Sequence, residues 1–256
     1  MTRWALLLEY DGSPFVGWQH QATGASVQSV LEHAVAQLAG RPVTSVAAGR
    51  TDSGVHALAQ VAHVDLDRPM TPARMVAAVN FHLKPHPVAV LRAAVVDASF
   101  SARFSAVGRA YRYDILNRPA RAALQSRRVW HIPAELDVAA MHAGAQTLLG
   151  RHDFSSFRAS ACQANSPLRT LDRLDVARCG ELVQIVAEAR SFLHHQVRNM
   201  VGTLRLVGEG RWAPADMARV LVARDRTAAG PTAPPDGLFM TGVRYPDDPF
   251  RQNQSL

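Results

Sequence analysis

The sequence predicts an α+β protein made of two ferredoxin-like β-α-β-β-α-β halves, with adjoining antiparallel sheets and a cleft between them. Two observations lead there. Over the first hundred residues, apolar spacings of period 2 and period 3.6 alternate in that split order. The remainder then runs through nearly the same order again. With 256 residues, 48% of them hydrophobic, the chain can bury a substantial core. The division is expected near Ser99 to Ser105, giving an N-terminal domain over 1–100 and a C-terminal domain over 101–256.

Arg3 to Tyr10 reads as a first strand, stopped by the turn pair Asp11-Gly12. Val27, Val30, Leu31, Ala34, Val35 and Leu38 then mark one face of a helix that Ser26 can cap and Gly40 can end. Strands follow at Val43 to Ala48 and Leu58 to Val64. Thr71-Pro72 opens a helix to about Val79, and Val88 to Val96 is a β-branched strand. In the second half, Arg109 to Leu116 alternates as a strand and Val138 to Leu149 has helical spacing. Arg169 to Val176 and Leu182 to Ala189 form a hairpin across Arg178-Cys179-Gly180. A helix carries Val197, Met200, Val201, Leu204 and Val207 and ends near Gly208; a short one begins at Pro214, and Leu238 to Val243 closes the half as a strand. Two long polar loops interrupt the pattern, Asp11 to Ala25 and Gly150 to Leu168. The polar tail from Pro246 is expected to fray.

The formal charge is +7, and Lys84 is the sole lysine, so the excess is guanidinium. Guanidinium groups grip phosphate in a bidentate fork and stack on bases, which suits an RNA-binding surface. Trp4 to Leu8 is broken by Glu9, far short of a membrane span. Cys162 and Cys179 form no CxxC motif or framework, which fits a reduced, cytoplasmic setting.

Chemistry concentrates in Ala48-Gly49-Arg50-Thr51-Asp52-Ser53-Gly54-Val55-His56-Ala57, an acid, a base and two glycines between two apolar runs. Asp-Ser-Gly is also ordinary turn chemistry, and the residues alone leave both readings open. If a cleft desolvates Asp52, a cation must keep it ionised. Arg198, in Phe192-Leu193-His194-His195-Gln196-Val197-Arg198-Asn199-Met200, is a candidate, on a helix face shared with Gly202 and Arg205. In Gly108-Arg109-Ala110-Tyr111-Arg112-Tyr113, strand alternation puts Arg109, Tyr111 and Tyr113 on one face. A tyrosine there can stack on a base and move a proton, or simply fill core. Metal chemistry is not expected. Pro85 and Pro87 deny His82 and His86 a shared helix face, and His194 and His195, on a helix, point about 100° apart. No GxxxxGK[ST] phosphate loop occurs, and nothing around Cys162 would activate its thiol.

The Asp52 loop, Tyr10-Asp11-Gly12-Ser13-Pro14-Phe15-Val16-Gly17-Trp18-Gln19 and the stretches around Tyr111 and Arg198 resemble the tRNA pseudouridine synthase A family, in the family's order and over nearly the whole chain. The resemblance implies an isomerase that turns uridines 38, 39 and 40 of the tRNA anticodon stem-loop into pseudouridine, working as a homodimer without cofactor or metal. It makes Asp52 the catalytic carboxylate and Arg198 its partner. Arg50 helps to open the RNA, Tyr111 contacts the target base, and Leu238 lines the pocket. Phe100, Ser101, Ala102, Arg103 and Phe104 match one tRNA-contacting stretch. Gln163, Ala164, Asn165, Ser166 and Pro167, within a segment starting at Ala161, match another, although 163–166 lack an arginine expected there. The alternative is a non-catalytic RNA-binding protein in which Asp52 serves only the turn.

Overall fold

The computed structural model describes residues 1–160 and 162–251, which form a mixed α+β protein with ten strands and five α-helices. The chain divides into two packed units. One comprises Met1–Arg109 and the residues from Met240 on; the other is Ala110–Phe239. This differs from the sequential division expected near Ser99 to Ser105. The closing strand crosses back, and Val107 donates its N–H to the Arg244 carbonyl at 2.8 Å within the first unit.

In the first unit, β1 (Thr2–Tyr10) lies between β4 (Val88–Val96) and β3 (His56–Leu66), antiparallel to both. Leu6 faces Ala62 on one side and Ala93 on the other. Trp4, Leu6 and Leu8 are buried, as alternation requires, and Ala5 is buried between them. The helix α1 (Val27–Ala39) starts in a capping box between Ser26 and Ser29 and ends at Gly40, whose φ of 66° is the left-handed C-cap. Helix α2 (Pro72–Leu83) begins at a Thr71 cap and runs one turn beyond the expected Val79, because Leu83 continues the buried stripe of Met75 and Val79.

The strand expected over Val43 to Ala48 shrinks to β2 (Val46–Ala47), paired with β3. Its forerunner Ser45 gives its N–H and hydroxyl to Glu32 Oε1 at 2.7 and 3.0 Å, so a helix side chain takes the place of a ladder partner. Strand β10 (Leu238–Arg244) lies next to β3.

The second unit carries β5 (Gly108–Asn117), β9 (Leu182–Ala189), β8 (Leu168–Cys179) and β7 (Gly150–Asp153) in that order. A short β6 (Trp130–Ile132), not anticipated from the sequence, runs parallel to β5. Gly180, at φ 60°, turns β8 into β9. Helix α3 (Val138–Gln146) packs on β8 and on α4 (Gln196–Gly208), with α5 (Asp216–Ala223) beside it. The stretch expected as a polar loop from Gly150 instead opens with β7 and then buries Phe154 and Phe157 completely. The tail also departs from expectation. Through Phe250, which is buried, it is folded, with the Phe250 N–H on Asp248 Oδ1 at 2.9 Å. Residues 252–256 lie outside the described residues. Among those described, no helix is long and apolar enough to cross a membrane.

Candidate functional site

The Asp52 loop joins β2 to β3, and hydrogen bonds from distant residues fix its backbone. Ala48 donates to the Val61 carbonyl at 2.8 Å, and its own carbonyl accepts Arg109 Nη2 at 2.8 Å and Nε at 3.2 Å. The Gly49 carbonyl accepts Gln60 Nε2 at 2.7 Å, and the Thr51 carbonyl accepts the Trp18 N–H at 3.0 Å. Tyr10 Oη and Thr51 Oγ1 are 2.8 Å apart, and Val55 closes the turn by donating to the Asp52 carbonyl at 3.1 Å. Asp52 itself is half-buried. Arg50 is exposed and, among the described residues, its guanidinium has no hydrogen-bond or ionic partner.

The segment 11–25 packs against this loop. Glycine is required there at two close approaches. A Cβ on Gly12 would lie 2.0 Å from the Val55 carbonyl oxygen, and one on Gly17, whose φ is 113°, 2.8 Å from that of Thr51. Ser53 Oγ and the Gly54 N–H both donate to the Phe15 carbonyl, at 3.2 and 3.4 Å. The long loop read from the sequence is thus the outer wall of the Asp52 turn. Burial pushes the Tyr10 hydroxyl up to about 12, against the opposing pull of its bonds with Thr51 and Gln60, so Tyr10 holds its proton.

The turn 100–106 belongs to the same unit. Ala102 is fully buried; its N–H reaches His63 Nδ1 at 3.1 Å and its carbonyl accepts Tyr245 Oη at 2.7 Å. Ser101 and Ser105 bond each other, and the Phe100 carbonyl accepts Arg3 Nη1 at 2.8 Å. This anchoring leaves Arg103 and Phe104 exposed, the Phe104 ring 78% so, with the Arg103 guanidinium 5.2 Å from its centre. An exposed ring beside a cation is a surface on which a base can stack.

In the second unit, Arg198 is half-buried on α4. Its Nε donates to the Ala233 carbonyl at 2.8 Å, while its own carbonyl accepts the Ala233 N–H at 3.1 Å. The shared face with Gly202 has a purpose visible only here. A Cβ on Gly202 would lie 1.7 Å from the Pro231 oxygen, so glycine lets the 230–234 strap touch the helix. A partly buried polar network fastens that strap. Asn199 Oδ1 accepts from Thr232 Oγ1 at 2.6 Å and from Arg226 Nη2 at 3.2 Å, Arg226 Nη1 reaches the Gly230 carbonyl at 3.0 Å, and the Gly230 N–H reaches Thr203 Oγ1 at 3.0 Å. Sequence reasoning missed Asn199 and Arg226. Asn199 left one signal, a polar residue within an otherwise apolar helix stripe, and Arg226, in a short turn, left none.

The strap continues to β5 and Leu238. The Pro234 carbonyl accepts Tyr113 Oη at 2.8 Å, and Gly237 packs so tightly that its Cβ would meet the Asp114 oxygen at 2.6 Å and the Tyr113 ring at 2.7 Å. Leu238 is buried immediately afterwards. Tyr113 is wholly buried, and burial raises its hydroxyl well above the usual range although the Arg198 charge pulls the other way. Tyr111 keeps 9% exposure and meets the Phe192 ring edge-on, 5.3 Å between centres. Arg198, Leu238 and the strand of Tyr111 are therefore brought to one strap.

One expectation needs correction. His194 and His195 precede α4 rather than lying on it; His195 has a φ of 62°, and the two rings are 4.0 Å apart instead of diverging. Residues 163–166 lack an arginine, but two from neighbouring positions hold their segment. Arg169 Nη1 donates to the Ser166 carbonyl at 3.0 Å, and Arg158 Nη2 to that of Cys162 at 3.3 Å. Burial lowers the Arg169 pKa, and the Arg158 charge adds to that effect. Gln163, Asn165 and Ser166 are exposed; Ala164 and Pro167 are half-buried; Ala161 lies outside the described residues.

Comparison with known proteins bears on this geometry. The sequence profile of a family described as "tRNA pseudouridine synthase" matches residues 7–105 and 145–246. A protein of Acidiphilium cryptum named "tRNA pseudouridine synthase A" is 65% identical over 99% of this chain and 100% of its own length. Proteins of that name from Paramagnetospirillum magneticum and Rhodospirillum centenum are each 64% identical over 96% of this chain, and over 96% and 100% of their own lengths.

Proposed function

Because the chain belongs to the tRNA pseudouridine synthase family of isomerases, we propose that it converts uridines 38, 39 and 40 of the tRNA anticodon stem-loop into pseudouridine, with Asp52 as the catalytic carboxylate. The observation that carries the proposal is the fixation of the Asp52 loop. Backbone carbonyls of Ala48, Gly49, Thr51 and Asp52 each accept a hydrogen bond, three of them from residues far away in sequence. A turn needs no such bracing. A catalytic group does, since preorganised placement is what lowers a barrier.

The reaction balances within the substrate. The C1′–N1 bond breaks, the uracil turns, C1′ bonds to C5, the C5 proton leaves and N1 gains one. In this reading Asp52 acts at the nucleoside and Arg198 keeps that carboxylate charged. Tyr111 meets the target base by ring and hydroxyl, and Leu238 gives the base an apolar wall. A base in a stem must be flipped out, and the exposed guanidinium of Arg50 is suited to fill the gap it leaves. Residues 100–104 and 163–167 would hold the RNA outside the reacting nucleotide. The exposed Arg103–Phe104 pair supports that role.

The proposal extends to a cytoplasmic homodimer and to ferredoxin-like halves. In the first unit the order β4-β1-β3, with β2 paired outside β3 and all pairs antiparallel, supports the latter. The deciding experiment incubates purified protein with unmodified tRNA, maps pseudouridine by position, and repeats the assay with Asp52→Asn. Product from wild type alone supports the enzyme. Binding without product from either favours the non-catalytic RNA-binding alternative.

A further inference from the structure

One guanidinium bonds both the Asp52 loop and the 100–106 turn. Arg109, on the first residues of β5, donates from Nε and Nη2 to the Ala48 carbonyl at 3.2 and 2.8 Å. The same Nη2 reaches the Arg103 carbonyl at 2.7 Å, and Nη1 reaches that of Ala106 at 3.2 Å. Ala48 stands four residues before Asp52; Arg103 carries the exposed cation beside the Phe104 ring. Strand β3 supplies a second connection, through Gln60 to the Gly49 carbonyl and His63 to the Ala102 N–H. Loop and turn are thus fixed to the same two supports.

We propose that Arg109 is a positioning residue that couples the 100–106 turn to the Asp52 loop, so that RNA engaged at Arg103 and Phe104 sets the placement of the carboxylate. The inference rests on the reading of Asp52 as catalytic and of the turn as RNA-contacting. The guanidinium suits the task because its donors are planar and fixed in direction, so three carbonyls held by one ion cannot shift independently. A lysine keeps the charge but offers one compact head on a flexible stem. Binding energy gained at the turn would then be lost to the loop and appear only in affinity.

The turn has anchors that do not touch the loop, and this provides a contrast. Tyr245 Oη donates to the Ala102 carbonyl at 2.7 Å, and its ring lies 5.2 Å from that of Phe100, so both contacts are with the turn. Arg109→Lys and Tyr245→Phe therefore separate coupling from mere loosening of the turn. Both are compared with wild type on an unmodified anticodon stem-loop RNA, by filter-binding affinity and by single-turnover rate at saturating protein. Arg109→Lys is expected to bind within threefold of wild type while its rate falls about 10- to 100-fold, the cost of a small misplacement of a reacting group. Tyr245→Phe is expected to bind more weakly and to react within twofold of wild type once saturated. Melting curves accompany both, and Arg109→Gln, which keeps one donor for Ala48, replaces the lysine variant if that does not melt cooperatively. A rate for the Arg109 variant within twofold of wild type overturns the coupling and leaves the enzyme reading intact. A wild-type protein that makes no pseudouridine overturns the enzyme reading, and the inference falls with it.

Discussion

The hydroxyls of Tyr10 and Thr51 lie 2.8 Å apart, both buried, and join the end of the first strand to the residue preceding Asp52. Tyr10→Phe removes one of these groups and leaves the Thr51 hydroxyl without it. An unsatisfied buried polar group costs about 1–3 kcal/mol, so the midpoint of denaturant unfolding should fall by a corresponding amount. Turnover should fall as well, with RNA affinity unchanged. Because the hydroxyl titrates only near 12, both effects should be constant from pH 6 to pH 9. A variant as stable and as fast as wild type would show that the bond does not place the loop.

Asp52→Asn separates enzyme from binding module. The change is nearly isosteric and removes one negative charge from a site that would lie beside phosphates. RNA affinity should hold or rise slightly. Its salt slope, about 0.7 to 0.9 per phosphate contact, should not move, because a carboxylate makes no such contact. A 2-aminopurine next to the target should still brighten as the uridine unstacks, while pseudouridine should be undetectable. Product at a rate comparable to wild type would make Asp52 a turn residue.

Tyr111→Phe keeps the ring that meets Phe192 and removes only the hydroxyl. General acid–base groups contribute about 10²–10⁴-fold, and a loss in that range would assign the proton-transfer role to the hydroxyl. Activity within twofold of wild type would leave Tyr111 as a stacking platform.

Arg198→Met should lose most of the activity yet melt cooperatively. Of its bonds to Ala233, only the one from Nε is lost; the carbonyl of residue 198 still receives the Ala233 N–H. Gly202→Ala should be far more disruptive, since its Cβ would lie 1.7 Å from the Pro231 oxygen and force the strap away. Near-normal turnover by Arg198→Met would remove Arg198 from the chemistry.

His63 introduces a pH dependence into stability. Burial, and next the Arg3 charge, lower its pKa from the ordinary 6.5, with Asp65 opposing, and its Nδ1 accepts the Ala102 N–H. Folding therefore favours the neutral ring. The stabilisation is complete above about 6.5 and is lost as pH falls from there through the lower folded value, because the unfolded chain then binds the additional proton. His63→Asn retains an acceptor that does not titrate. The fall in melting temperature between pH 7.5 and pH 5.5 should be smaller in this variant than in wild type. An equal fall in both would contradict the assignment.

The sequence by itself determined the elements that carry a period. Strands β1, β3, β4, β5, β8 and β9 and helices α1, α2 and α4 all lie where apolar spacing put them, because burial of one face is written in residues that are neighbours along the chain. It also marked the Asp52 loop, whose acid, arginine and glycines are contiguous. Where backbone polar groups are satisfied by side chains from elsewhere, it was silent. Ser45 lost its strand to Glu32, and β7 appeared where a loop was expected, because hydrogen-bond partners have no periodicity to read. Tertiary structure alone gave Arg109 its place on the Ala48 carbonyl, 61 residues away, and Asn199 and Arg226 their hold on the strap that Arg198 meets. A guanidinium's partners depend on which carbonyls the folded backbone leaves within reach, and only the complete fold sets that.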